Sequence, residues 1–131
     1  MKNGVYQSLL LVEDDPDDQD LFELALQEVD ANVKLEKARD GIEALERLQQ
    51  STLEKPELII LDINMPRMNG QEFLAEIKKD ETLTAIPVVL YSTTSETNYV
   101  KDILGLGARW FFKKPDSFHS LCENIRTAIQ R

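Results

Sequence analysis

Four short stretches of the sequence carry side chains able to do chemistry together: Glu13-Asp14-Asp15, Asp62, Ser92-Thr93-Thr94 and Lys113-Lys114-Pro115. Three or more carboxylates gathered in one place repel one another, and at neutral pH a hard divalent cation relieves that repulsion most simply. Mg²⁺ suits such a set, because it takes oxygen ligands, keeps several waters and is commonly held by one or two carboxylates plus a phosphate oxygen. The Ser92 hydroxyl and the Lys114 ammonium add donors for an incoming phosphoryl group.

These stretches can cooperate only if the fold brings them together. Each follows an apolar run: Leu9-Leu10-Leu11-Val12, Leu58-Ile59-Ile60-Leu61, Val88-Val89-Leu90-Tyr91 and Trp110-Phe111-Phe112. Runs of three or four without polar alternation suit strands covered on both faces. Val33, Leu35 and Lys37 alternate with Lys34, Glu36 and Ala38, which predicts a more exposed strand at an edge. Helical spacing fills the intervals. The stripes are Phe22, Ala25, Leu26 and Val29; Ile42, Leu45 and Leu48 after an Asp40-x-x-Glu43 capping-box start; and Phe73, Leu74 and Ile77 after Gly70. Val100, Ile103 and Leu104 follow the polar Ser95-Glu96-Thr97, and Phe118, Leu121, Cys122, Ile125, Ala128 and Ile129 form the last stripe. The sum is (βα) five times, an α/β layer architecture in which right-handed crossovers set helices on both faces of a parallel sheet. Ligands of such open sheets bind beyond the carboxyl ends of the strands, where the four polar stretches fall.

Composition bounds the rest. A chain of 131 residues is about one domain, and 42% apolar residues give it a core without disulfide or metal. Fifteen basic against 24 acidic residues give a net charge of −9, which argues against binding nucleic acid or an anionic membrane. Cys122 is the only cysteine, so no intrachain disulfide or multi-cysteine zinc site is expected; it falls on the last apolar stripe and reads as core. With no signal peptide and no long apolar run, a cytoplasmic location is expected. Glu13-Asp14-Asp15 would repel a nucleotide phosphate after the first strand unless a metal intervened, and no G-x-G-x-x-G or Walker lysine motif is present. Neither His119 nor Cys122 falls at a strand end, so Cys-His catalysis has no support.

In their order and spacing, Val12-Glu13-Asp14-Asp15, Leu61 through Gly70, Pro87 through Thr93, Gly107-Ala108 and Lys114-Pro115 resemble the receiver domains of two-component response regulators, especially the stand-alone kind. The resemblance covers about residues 8–130. It implies a flavodoxin-like sheet of order 2-1-3-4-5, one receiver domain over residues 1–131, and no output domain. It implies that Asp62 accepts a phosphoryl group from a histidine kinase or phosphotransfer protein. Asp14, Asp62 and the backbone carbonyl of Asn64 would ligate Mg²⁺ (or Mn²⁺), with Glu13 acting through a water, while Lys114 and Ser92 meet the phosphoryl group. Ser92 and Phe111 match a switch pair, Asn64 and Thr94 match positions that tune dephosphorylation, and Lys114-Pro115 matches a bond that is typically cis. Such a domain is a phosphoacceptor rather than an enzyme on other substrates. It acts by contact of its fourth helix, last strand and last helix with a downstream protein, as a monomer or weak dimer, with no nucleic acid or membrane partner.

Two departures stand out. Ser92 replaces the commoner Thr, and Phe111 replaces the common Tyr and cannot hydrogen-bond. Two rival readings are a phosphohydrolase of similar sheet architecture, which would need a second Asp where Asn64 stands, and a pseudo-receiver that binds partners without phosphorylation. Of the remaining acids, Asp15 reads as a helix cap or loop acid, and Asp17, Asp18 and Asp20 as favourable charge at a helix amino end. Pro16 fits that first turn. Lys113 and His119 read as surface, and Trp110 and Tyr91 as packing aromatics.

Overall fold

The structure, a computed structural model, describes residues 4–50, 54–63, 65, 68–93 and 97–131, with 97–100 described as backbone only. The apolar runs form five parallel strands: β1 (Ser8–Val12), β2 (Lys34–Ala38), β3 (Leu58–Asp62), β4 (Val88–Ser92) and β5 (Trp110–Lys113). Their order is β2-β1-β3-β4-β5, so the alternating strand is indeed at an edge and β1, β3 and β4 are interior. In register, Leu10 lies between Glu36 and Ile59, and Leu61 beside Leu90.

Strand alternation divides the core in two. One face carries Leu9, Leu11, Ile60, Val89 and Tyr91 against α1 (Pro16–Val29) and α6 (Phe118–Ala128). The other carries Leu10, Val12, Ile59, Leu61 and Leu90 against α2 (Gly41–Gln49), α3 (Gly70–Lys78) and α5 (Thr97–Gly105). Cys122 is buried on α6, as its place in the stripe predicts.

The helices depart from the sequence reading in detail. Ile42 is exposed, because the inward stripe of α2 is Gly41, Ala44, Leu45 and Leu48. Phe118 is exposed in the first turn of α6, whose packed stripe begins at Leu121. The Asp40 carboxylate caps α2 by accepting from Glu43 N at 2.8 Å, but the Glu43 carboxylate accepts from Arg39 N, one residue before the cap. The reciprocal capping box is at Asn69 and Glu72 on α3. An extra turn, α4 (Glu81–Thr84), follows an Asp80 cap; at four residues it is too short to show a period in the sequence. Ser95 and Glu96 lie outside the described residues, as does the side chain of Val100.

Gly70 fixes how α3 starts beside the end of β3. A Cβ there would lie 2.8 Å from Ile63 Cγ2 and 2.9 Å from Ile63 Cα, so only glycine lets the helix approach the residue after Asp62 this closely.

Candidate phosphoacceptor site

The first strand's pairing continues one residue past β1, where Glu13 N donates to Ala38 O at 3.0 Å. By alternation from Leu9 and Leu11, the Glu13 side chain falls on the α1/α6 face, and it is wholly buried. Asp15 N donates to Glu13 Oε2 at 3.0 Å, and the Asp15 carboxylate caps α1 by accepting from Asp17 N at 2.9 Å. Pro16 stands at the start of that helix. Gln19 reaches back to donate to the carbonyl of Glu13 at 2.7 Å, closing the strand end. No sequence motif pointed to this glutamine.

Asp62 ends β3 and is buried, and Asp14 is exposed. Carboxylate oxygens of Glu13, Asp14 and Asp62 lie within 4.8 Å of one another. Three hard oxygen donors at that spacing fit a divalent cation of the Mg²⁺ or Mn²⁺ type, bound directly or through water. From the far side of the sheet, Lys114 N donates to Ser92 O at 2.8 Å and extends the β5 ladder, which sets its side chain on the Glu13 face. Its ammonium donates to Glu13 Oε1 at 2.8 Å, Asp18 Oδ2 at 2.9 Å and Asp62 Oδ2 at 3.4 Å. Lys113 points the other way and is exposed, as expected.

The electrostatics follow from this packing. Burial works against ionisation of Glu13, but bonds from Lys114, Tyr91 and the Asp15 amide, with the Lys114 charge, hold its carboxyl below the usual range. Burial and then the neighbouring Glu13 push the Asp14 carboxyl up. Burial disfavours the Lys114 ammonium too, yet its bonds to Glu13 and Asp18 and the Asp62 charge raise it above the ordinary lysine value. Burial and the Glu13 charge keep the Tyr91 phenol protonated.

Two partners escaped the sequence reading. Asp18 is more than helix-end charge, because α1 starts at Pro16 and so carries Asp18 in its first turn, beside the crevice. Tyr91 packs in the core as expected, but its hydroxyl donates to Glu13 Oε1 at 2.6 Å. A buried tyrosine at a strand end needs a partner for its hydroxyl, and that was the available signal.

Ser92 is buried at the end of β4, and Phe111, half-buried, packs with the α2/α3 core on the same face of the neighbouring strand, in register with Leu90. Asn64 and Thr94 lie outside the described residues. The Lys114–Pro115 bond is trans, which corrects the expected cis isomer. An X-Pro bond has only a small intrinsic isomer preference, and the trans form already lets Lys114 reach both the β4 ladder and the acids.

The family model for the response regulator receiver domain matches residues 9–126. The chain belongs to that family. Among curated relatives, Response regulator Rcp1 of Synechocystis sp. is 40% identical over 90 residues, covering 66% of this chain and 61% of Rcp1. The phosphorylated cyanobacterial phytochrome response regulator RcpA superposes with a TM-score of 0.84 at 32% identity, covering 93% of this chain and 90% of RcpA. The Mn²⁺-bound form of Rcp1 superposes with a TM-score of 0.82 at 32% identity, covering 92% of this chain and 90% of that one. Receiver domains are signalling domains that bind a divalent metal and interact with histidine kinases or phosphotransfer proteins. Among the described residues of this receiver, no helix is long and apolar enough to cross a membrane.

Proposed function

We propose that this receiver takes a phosphoryl group onto Asp62 from a phosphohistidine of a histidine kinase or phosphotransfer protein in the cytoplasm, and passes the signal on by protein contact. The observation that carries this reading is the Lys114 ammonium, held at once by Glu13, Asp18 and Asp62 beside a buried Asp62 carboxylate. An Asp62 oxygen attacks phosphorus, the P–N bond to the donor imidazole breaks, and an acyl phosphate forms. Such a transfer needs positioning and charge stabilisation more than covalent assistance. Glu13, Asp14 and Asp62 would hold Mg²⁺ or Mn²⁺, which supplies positive charge against the phosphoryl oxygens. Lys114 supplies the protein's own cation beside Asp62, and the Ser92 hydroxyl a neutral donor.

The switch follows from the new charge, which for an ordinary phosphate ester is about −1.5 to −2. If Ser92 moves toward the phosphoryl group, it leaves room for Phe111 on the same face, and the equilibrium between two arrangements of α5, β5 and α6 shifts. That face would meet the downstream protein.

Incubation with acetyl phosphate and Mg²⁺, followed by mass spectrometry, tests the assignment. One phosphoryl group is expected on the wild type and none on Asp62→Asn; labelling that persisted on another residue of the variant would overturn it.

A further inference from the structure

We infer that Tyr91 is a positioning residue of the acidic site, whose hydroxyl holds Glu13 in place and so sets how tightly the pocket takes a divalent cation. The inference rests on the phosphoacceptor reading above and deepens it. Glu13 Oε1 accepts two hydrogen bonds, from Tyr91 at 2.6 Å and from Lys114 at 2.8 Å. The same tyrosine presents its ring face to Lys114, whose Nζ lies 4.8 Å from the ring centroid. One side chain thus touches the anion through its hydroxyl and the cation through its π face.

The ring has little freedom to do otherwise. It is buried, with Phe22 of α1 at 6.1 Å and Phe112 of β5 at 5.5 Å between centroids. An aliphatic or phenylalanine side chain would fill this part of the core. A phenol there requires a partner, and the partner is one of the acids that fit the cation. Because β4 alternates, Tyr91 and Ser92 send one hydroxyl to each face of the sheet at the same strand end. Without the hydroxyl, Glu13 Oε1 loses one of two donors in a place closed to water, and the carboxylate is no longer fixed toward the pocket. Losing an outer partner of a metal ligand typically lowers metal affinity about 10–100-fold.

Mn²⁺ titration of the full chain, read by electron paramagnetic resonance, tests this with Tyr91→Phe, which keeps the ring and removes the hydroxyl. The expected result is at least about tenfold weaker Mn²⁺ binding than wild type. The same tyrosine change should have no further effect in a Glu13→Gln background, since a packing role would act regardless of Glu13. In wild type carrying 3-fluorotyrosine, the Tyr91 fluorine resonance should shift on Mg²⁺ addition along the binding curve, a readout independent of how well the variant folds. Unchanged Mn²⁺ affinity in Tyr91→Phe, an equal loss in the Glu13→Gln background, or an unmoved resonance would overturn the role of Tyr91 while leaving Asp62 labelling in wild type intact. Wild type that neither binds Mn²⁺ nor is labelled on Asp62 would overturn both readings.

Discussion

Lys114 lies closer to Asp18 than to Asp62: its ammonium is 2.9 Å from the Asp18 carboxylate on α1 and 3.4 Å from the Asp62 carboxylate on β3. With Glu13 at 2.8 Å, two of the three ammonium donors are committed in shorter bonds to acids other than Asp62, the proposed acceptor. On the proposed phosphorylation of Asp62, Lys114 would be drawn from an arrangement in which it is already well bonded.

Asp18→Asn should release part of that hold. Asp18 is partly exposed, so its pair with Lys114 is worth up to about 1 kcal/mol, or up to about fivefold in a rate. The variant is expected to be labelled by acetyl phosphate faster than wild type by up to that factor, measured by the time course of phosphorylation at fixed Mg²⁺. A slower time course would mean that Asp18 orients Lys114 rather than competing for it.

Glu13 and Asp14 give the acid limb of stability opposite signs. The Glu13 carboxyl is lowered from 4.5 in the folded state, so its stabilisation is present above that value and is lost as pH falls through the lower folded one. The Asp14 carboxyl is raised from 3.8, so its ionised form costs stability at higher pH, and the cost is relieved as pH falls through its raised value. In EDTA, Glu13→Gln should be less stable than wild type at pH 7 by about 1.5–3 kcal/mol, the scale of hydrogen bonds to a charged group. Urea denaturation from pH 7 to 3 should show that gap narrowing below about pH 4.5.

Gly70→Ala should strain the packing of α3 against Ile63, the residue after Asp62. The added Cβ meets the Ile63 backbone at 2.9 Å, so the chain must shift, and overpacking of this kind costs about 1–3 kcal/mol. The expected result is a lower urea midpoint together with slower Asp62 labelling. An unchanged midpoint would mean that α3 moves away without cost.

Most of the fold was legible because interior parallel strands announce themselves as apolar runs, and β1, β3, β4 and β5 each do. The acids, Ser92 and Lys114 were legible for a related reason, as polar residues placed directly after those runs. What stayed hidden depends on contacts between distant segments. Asp18 and Lys114 are 96 residues apart and Glu13 and Tyr91 are 78 apart, and neither pairing leaves a local pattern. Ile42 and Phe118 fit a helical period but face solvent, because the period gives a stripe without saying which neighbour covers its ends. The one-turn α4 and the trans Lys114–Pro115 bond are decided by a few local interactions of nearly balanced energy.

The rings packed beneath the acids have a practical side. Tyr91 touches Phe112 at 5.5 Å, Phe112 touches Trp110 at 5.4 Å, and Trp110 is the only tryptophan in the chain. The molecule therefore contains its own optical reporter, two ring contacts from a phenol bonded to the pocket and on the strand that leads into Lys114. Emission from this single indole can follow the acidic end of the sheet in the unlabelled protein, without a dye or an added residue.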